Sequence, residues 1–218
     1  MQRRPVIRRL VEGAAVLAFY AVIAAVVTWP IAGSLGSRVL GVVDSDSATM
    51  IWWLDVLQQH GFRVTGTTHL TEVAAPYGAD QSNALNIQWA WPFFPAYLLT
   101  KWFGAVVAYN VTILTGLTFS GAATYALARK LGVGVLVAGW AGLVFLLFPW
   151  HLEHAIAGHP SLIHLECLPL LALALVVLAE GLTGRRLAYL VGAVLLCWTT
   201  SGYYGVIACI AVTAAALT

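Results

Sequence analysis

Long apolar stretches separated by short polar ones organise this chain. A first charge-free run over 13–35 is long enough for one helix across a bilayer core of about 30 Å, and Pro30 is placed to end it. Further apolar runs cover 104–128, closed at once by Arg129-Lys130, then 133–150, and then 163–182, with Glu166 and Glu180 near its two ends. After Arg185-Arg186 the chain carries no charge from 187 to 218, too long for one ordinary span and short for two. Ser201-Gly202-Tyr203-Tyr204 divides it into a helix over 187–202 and an incomplete one over 203–218. The stretch 36–103 is too long for a simple connector. Within it, 48–59 and the proline-broken aromatic stretch 87–100 read as helices lying at the interface, and 61–86 is turn-rich around Pro76-Tyr77-Gly78. Trp52, Trp53, Trp89, Trp91 and Trp102 suit the headgroup level. The pattern predicts an all-α polytopic membrane protein of five to six transmembrane helices, with interfacial helices between the first two.

Composition removes the competing classes. Hydrophobic residues make up 61% of the 218 and charged ones 9%, against about 45–50% and about 25% in soluble domains. Twenty charged side chains cannot cover a soluble fold of this size. A net charge of +2 and three cysteines exclude nucleic-acid binding, disorder and a disulfide scaffold. Residues 1–218 therefore read as one transmembrane domain, and the apolar run reaching Thr218 leads us to expect the N-terminal part of a longer protein. Arg3, Arg4, Arg8 and Arg9 could open a secretory signal, but the apolar run is longer than a signal core and more spans follow, which favours a retained helix.

Charge then orients the spans. With the N-terminal arginines cytoplasmic, the basic clusters at 129–130 and 185–186 return to the same side. Asp44, Asp46, Asp55, Glu72, Asp80, Glu153 and all six histidines fall opposite. Nine arginines against two lysines, with abundant alanine, glycine and valine, point to a GC-rich bacterial genome and hence the bacterial inner membrane. Cys167, Cys197 and Cys209 read as small apolar packing residues.

The candidate chemistry is on that outer side. Asp44-Ser45-Asp46 offers two carboxylates that can share a divalent cation, Mg²⁺ or Mn²⁺. One alone can act as a general base on an acceptor hydroxyl. The plainer role is a polar turn in which Asp46 or Ser47 caps the helix beginning at Ala48. His151, Glu153, His154, His159 and His164 cluster around a second, compact outer loop. His151 and His154 share a helical face, so zinc, substrate phosphate or a structural role each fit the pattern, although it lacks the HExxH order of zinc hydrolases. Arg38, Arg63 and Lys101 are the fixed positive charges outside, and arginine suits a phosphate-bearing donor best.

The order of these features resembles the N-terminal part of bacterial polytopic membrane glycosyltransferases of the GT-C class. The segments that carry the resemblance are Asp46-x5-Trp52, Pro76-Tyr77-Gly78, Ala108-Tyr109-Asn110, Tyr125-Ala126-Leu127-Ala128-Arg129, Gly158-His159 and Pro169-Leu170. The resemblance implies transfer of a sugar from a polyprenyl-phosphate donor to an acceptor glycan, lipid or protein on the outer face. It implies Asp46, with Asp44 as the alternative, as general base or metal ligand. It places Gly158-His159 near the active cavity; the residue pattern of the outer loops adds His154, His151, Glu153 and Arg63 as candidate substrate contacts. Such enzymes usually have eight or more helices, so this chain would hold the acceptor-side, catalytic-base half. An exporter of lipid-linked sugars and a non-catalytic subunit packing against other membrane proteins are the rivals. The exporter needs intramembrane ionisable groups and broken helices, and neither is evident between 104 and 150 beyond Arg129-Lys130.

Overall fold

The computed structural model describes residues 3–42 and 44–217, with side chains from Leu10 onward. The side chains of Arg3, Arg4, Arg8 and Arg9, and Thr218, lie outside the described residues. Helix α1 (Arg3–Val27) begins well before the charge-free run, because the arginine-rich segment is itself helical. It ends three residues short of Pro30, and a 3₁₀ turn, Ile31–Gly33, follows. Then come α2 (Ser47–His60), strands β1 (Thr67–Leu70) and β2 (Ala79–Ser82), α3 (Leu85–Gln88) and α4 (Ala90–Phe103). The remaining helices are α5 (Ala105–Lys130), α6 (Val135–Leu146), α7 (Pro149–Ala157), α8 (Pro160–Ile163), α9 (Cys167–Ala179), α10 (Gly184–Thr200) and α11 (Gly202–Ala216).

The protein is mostly helical, and four helical stretches among the described residues are long and apolar enough to cross a membrane: Leu10–Val27, Ala105–Lys130, Val135–Ala157 and Pro160–Ala179. The all-α expectation needs one amendment. β1 and β2 pair antiparallel, Thr67 opposite Ser82 and His69 opposite Asp80, and an exposed His69–Asp80 contact of 2.8 Å closes the pair. Strands of four residues are too short to show an alternating pattern, so the turn around Pro76-Tyr77-Gly78 was the legible part. A second difference concerns the apolar runs expected to be continuous. The one over 133–150 breaks at Leu147-Phe148, where Pro149 starts α7, and the next breaks at His164–Glu166 between α8 and α9.

α5 is the central helix, packed by α1, α4, α6, α8 and α9. Small residues permit this crowding. Tyr20 of α1 crosses the faces of Gly121 and Gly142, where any added Cβ would collide with its ring or hydroxyl, and its hydroxyl donates to Gly139 O at 3.0 Å. At the C-terminal end of α5, Arg129 Nε meets Glu12 at 3.4 Å and Tyr125 donates to the same carboxylate. Lys130 and Arg186 both bind Glu180, and the Lys130 bond holds that carboxyl below the usual range. The basic clusters at 129–130 and 185–186 thus share one end of the bundle.

Candidate functional site

The other end of α5 organises the loop that follows α1. Asn110, buried in α5, donates through Nδ2 to Leu35 O (2.8 Å) and Arg38 O (2.7 Å), and its Oδ1 accepts from Leu40 N (3.1 Å). The neighbouring Tyr109 hydroxyl donates to Leu40 O at 2.9 Å. A buried amide inside an apolar helix is costly unless satisfied, and here the partners are the backbone groups of the segment leading to Asp44. Asn110→Leu leaves two carbonyls and one N–H without their partner, with an expected loss of about 1–3 kcal/mol. Limited proteolysis of the purified protein should then cut within residues 35–42, while the wild type resists there.

From this anchor the chain reaches Asp44, which adopts the left-handed conformation (φ 65°) and is exposed. Asp46 stands at the head of α2, yet its side chain makes no capping bond, contrary to the plainer expectation. Its Oδ2 instead meets His159 Nε2 at 2.8 Å, across 113 positions of sequence. The backbone draws the two loops together. Asp46 N donates to Ala157 O (3.1 Å) and Val42 N to Ile156 O (3.1 Å), tying the loop to the end of α7. Gly158 has φ 83° and lies directly against the Asp46–Ser47 peptide, where a Cβ would occupy the place of the Ser47 N–H. An ion pair this exposed contributes only about 0–1 kcal/mol. The contact therefore follows from backbone docking and does not itself hold the fold.

His154 continues the site: its ring lies 5.3 Å from that of His159 and 4.2 Å from that of Trp150, centroid to centroid. His151 is fully buried against Phe145. Glu153 is exposed, within electrostatic reach of His154. Arg63 is not brought to the site. It follows the far end of α2, a helix about 20 Å long at 1.5 Å per residue, whose first turn carries Asp46. Asp44 and Asp46 do not converge with a third ligand. Among the described residues no group of three His, Cys, Asp or Glu side chains is placed to hold a metal ion. The donor set does not fit a resident Mg²⁺ or Mn²⁺, and no step below is routed through one.

One constellation escaped the sequence pattern. Glu166, buried between α8 and α9, accepts through Oε1 from Trp91 Nε1 and from His164 Nδ1, each at 2.7 Å, while Ser120 Oγ approaches Oε2 at 3.4 Å. His164 Nε2 donates to Thr112 O at 3.0 Å, and Gly116 leaves the room its ring needs. Thr112, Gly116 and Ser120 bracket the middle of α5, so this pair sits about halfway along a central apolar helix. The available signal was one of only nine acidic residues placed a few positions into the start of an apolar run.

Comparison with protein families, curated proteins and solved structures finds no match to this chain.

Proposed function

We propose that this chain is a membrane glycosyltransferase, or the N-terminal half of one, moving a sugar from a polyprenyl-phosphate donor to an acceptor glycan, lipid or protein. The observation that carries this reading is the meeting of Asp46 with His159 beside Gly158, two short segments of the GT-C resemblance brought together across the chain. Tyr109 and Asn110, from a third such segment, fasten the loop that carries Asp46. Asp46 is the general base. Its exposed carboxylate takes the proton of the acceptor hydroxyl as the sugar–phosphate bond breaks, and His159 donates to Oδ2 and fixes the orientation of the carboxylate. The bilayer restrains the lipid tail of the donor, so only its head group has to be oriented.

The five-to-six-span topology, with the N-terminus in the cytoplasm of a bacterial inner membrane, belongs to the same reading. It draws support from the separation of charges along α5. Asn110 and Arg129 are about 28 Å apart on a straight helix, close to one hydrocarbon thickness, and they mark the acidic-histidine end and the basic end.

The exporter alternative gains two observations that the sequence pattern did not provide: the buried His164–Glu166 pair and the breaks in two apolar stretches. Reconstituting the chain in liposomes with a radiolabelled polyprenyl-phosphate sugar and a lipid acceptor separates the readings. Transfer predicts labelled acceptor and free polyprenyl phosphate in equal amounts. Movement of intact donor across the bilayer without release would replace the enzyme by an exporter, and neither outcome would leave a subunit.

A further inference from the structure

Helix α1 is held tightly at mid-length and stands off from its neighbours at the basic end of the bundle. At Tyr20 the ring closes on Gly121 and Gly142 and leaves no space for another carbon. About two turns nearer the N-terminus, a Cβ added to Gly13 would meet nothing within 4 Å. Opposite, α5 presents the methyl groups of Ala122 and Ala126. These small residues leave a groove of about 520 Å³ between the two helices, walled by Gly13, Leu17, Ala122 and Ala126 and opening at Arg129 and Lys130. Ala122 and Lys130 are about 12 Å apart on a straight helix, so the groove runs from the helix end into the apolar bundle.

Positive charge exceeds negative at the mouth of this groove. Glu12 accepts from Tyr125 and Arg129, and Glu180 is met by Lys130 and Arg186. Arg185, next in the chain to Arg186, makes no ion pair among the described residues. These bonds use a minority of the available donors. Arg129 spends Nε on Glu12 and Nη1 on Val133 O, which leaves Nη2, and Lys130 spends one of its three protons on Glu180. The side chains of Arg129 and Lys130 are 36% and 31% exposed, so the remaining donors are within reach of a ligand.

We infer that the groove binds one anionic phospholipid of the leaflet at the basic end, with the phosphate on Arg129 Nη2 and Lys130 Nζ and an acyl chain lying between α1 and α5. An unfilled apolar groove forfeits van der Waals contact, which an acyl chain restores, and a basic pocket between membrane helices suits an anionic headgroup. Two other apolar grooves of similar size lack the combination. The one between α9 and α10, about 390 Å³ around Tyr189, Gly192 and Leu196, has no charged residue in its wall. The one between α1 and α6, about 470 Å³, has Glu12 alone. The lipid site is at the opposite end of α5 from the loop that carries Asp46, so it stands apart from whichever reaction occurs there.

Native mass spectrometry tests the site without any reaction. The chain is released from nanodiscs holding equal amounts of phosphatidylglycerol and phosphatidylcholine with identical acyl chains. The unmodified protein should retain one phosphatidylglycerol, at least tenfold over phosphatidylcholine. Gly13→Leu fills the groove, keeps every charge and introduces a better helix former, and it should lower that retention about tenfold. Lys130→Gln leaves the groove open but removes one cation, for a loss of about fivefold. Gly192→Leu fills the uncharged groove between α9 and α10, where a Cβ again meets nothing within 4 Å, and should change nothing. Glycerol 3-phosphate, which has the phosphate without the tails, should not displace the lipid. Equal retention of the two phospholipids by the unmodified protein would overturn the inference, and that comparison needs no variant. So would undiminished retention by Gly13→Leu, or an equal loss in Gly192→Leu. Displacement by glycerol 3-phosphate would replace the lipid by a soluble anion.

Discussion

Glu166→Ala is expected to destabilise the protein by about 3 kcal/mol or more, the cost of stranding a buried charged partner. The change removes the acceptor of both Trp91 Nε1, on a half-buried side chain, and His164 Nδ1, on a fully buried one. Ordinary interhelical hydrogen bonds in membranes average only about 0.6 kcal/mol, so the expected size rests on the burial of the Glu166–His164 contact at 2.7 Å. A double-mutant cycle isolates that part. Glu166→Ala with His164→Leu should cost clearly less than the sum of the two single changes, because the second removes the donor that the first leaves unpaired. Unfolding in mild detergent, followed by far-UV circular dichroism, reads both. Additive losses would mean that the two side chains do not act as a pair.

Gly158→Ala should separate the two loops while leaving the bundle folded. Left-handed backbone at φ 83° costs a non-glycine residue about 1–2 kcal/mol, and the added Cβ meets backbone atoms of Asp46 and Ser47, which cannot swing aside as a side chain can. The bonds from Val42 N to Ile156 O and from Asp46 N to Ala157 O then open, and with them the contact between Asp46 and His159. We expect total destabilisation of about 3 kcal/mol, and sugar transfer to fall to the level of a variant lacking the carboxylate. Helical content should be retained. Transfer at the wild-type rate would show that this docking does not position Asp46.

The legible and illegible parts of this molecule divide along one physical line. Apolar runs of bilayer length, proline breaks and clustered arginines are local signals, so the candidate spans and the helices α2 and α4 could be located from the sequence pattern. Asp46 and His159 could each be selected as reactive residue types in outer loops. Their contact could not, because it depends on Gly158 docking against a peptide more than a hundred residues away. Arg63 illustrates the reverse case: its charge suits a phosphate, but α2 carries it to the opposite end of a helix. Glu166 was hidden for another reason. Near the end of an apolar run a carboxylate looks like a boundary, and only the break between α8 and α9 turns it inward to Trp91 and Ser120. The hairpin was missed because its strands are shorter than the period that reveals a strand.

What joins these features is the assignment of Asp46 as the base of an outer-face transfer reaction. The most direct measurement compares initial rates of label transfer from a polyprenyl-phosphate sugar by wild type, Asp44→Asn and Asp46→Asn reconstituted side by side in liposomes. Asp44 is exposed and makes no contact with His159, so Asp44→Asn should retain most of the rate. Asp46→Asn keeps the shape of the side chain and its bond to His159 but loses the base, and should lower the rate by about 10²–10⁴-fold. Transfer by Asp46→Asn at the wild-type rate would contradict the assignment.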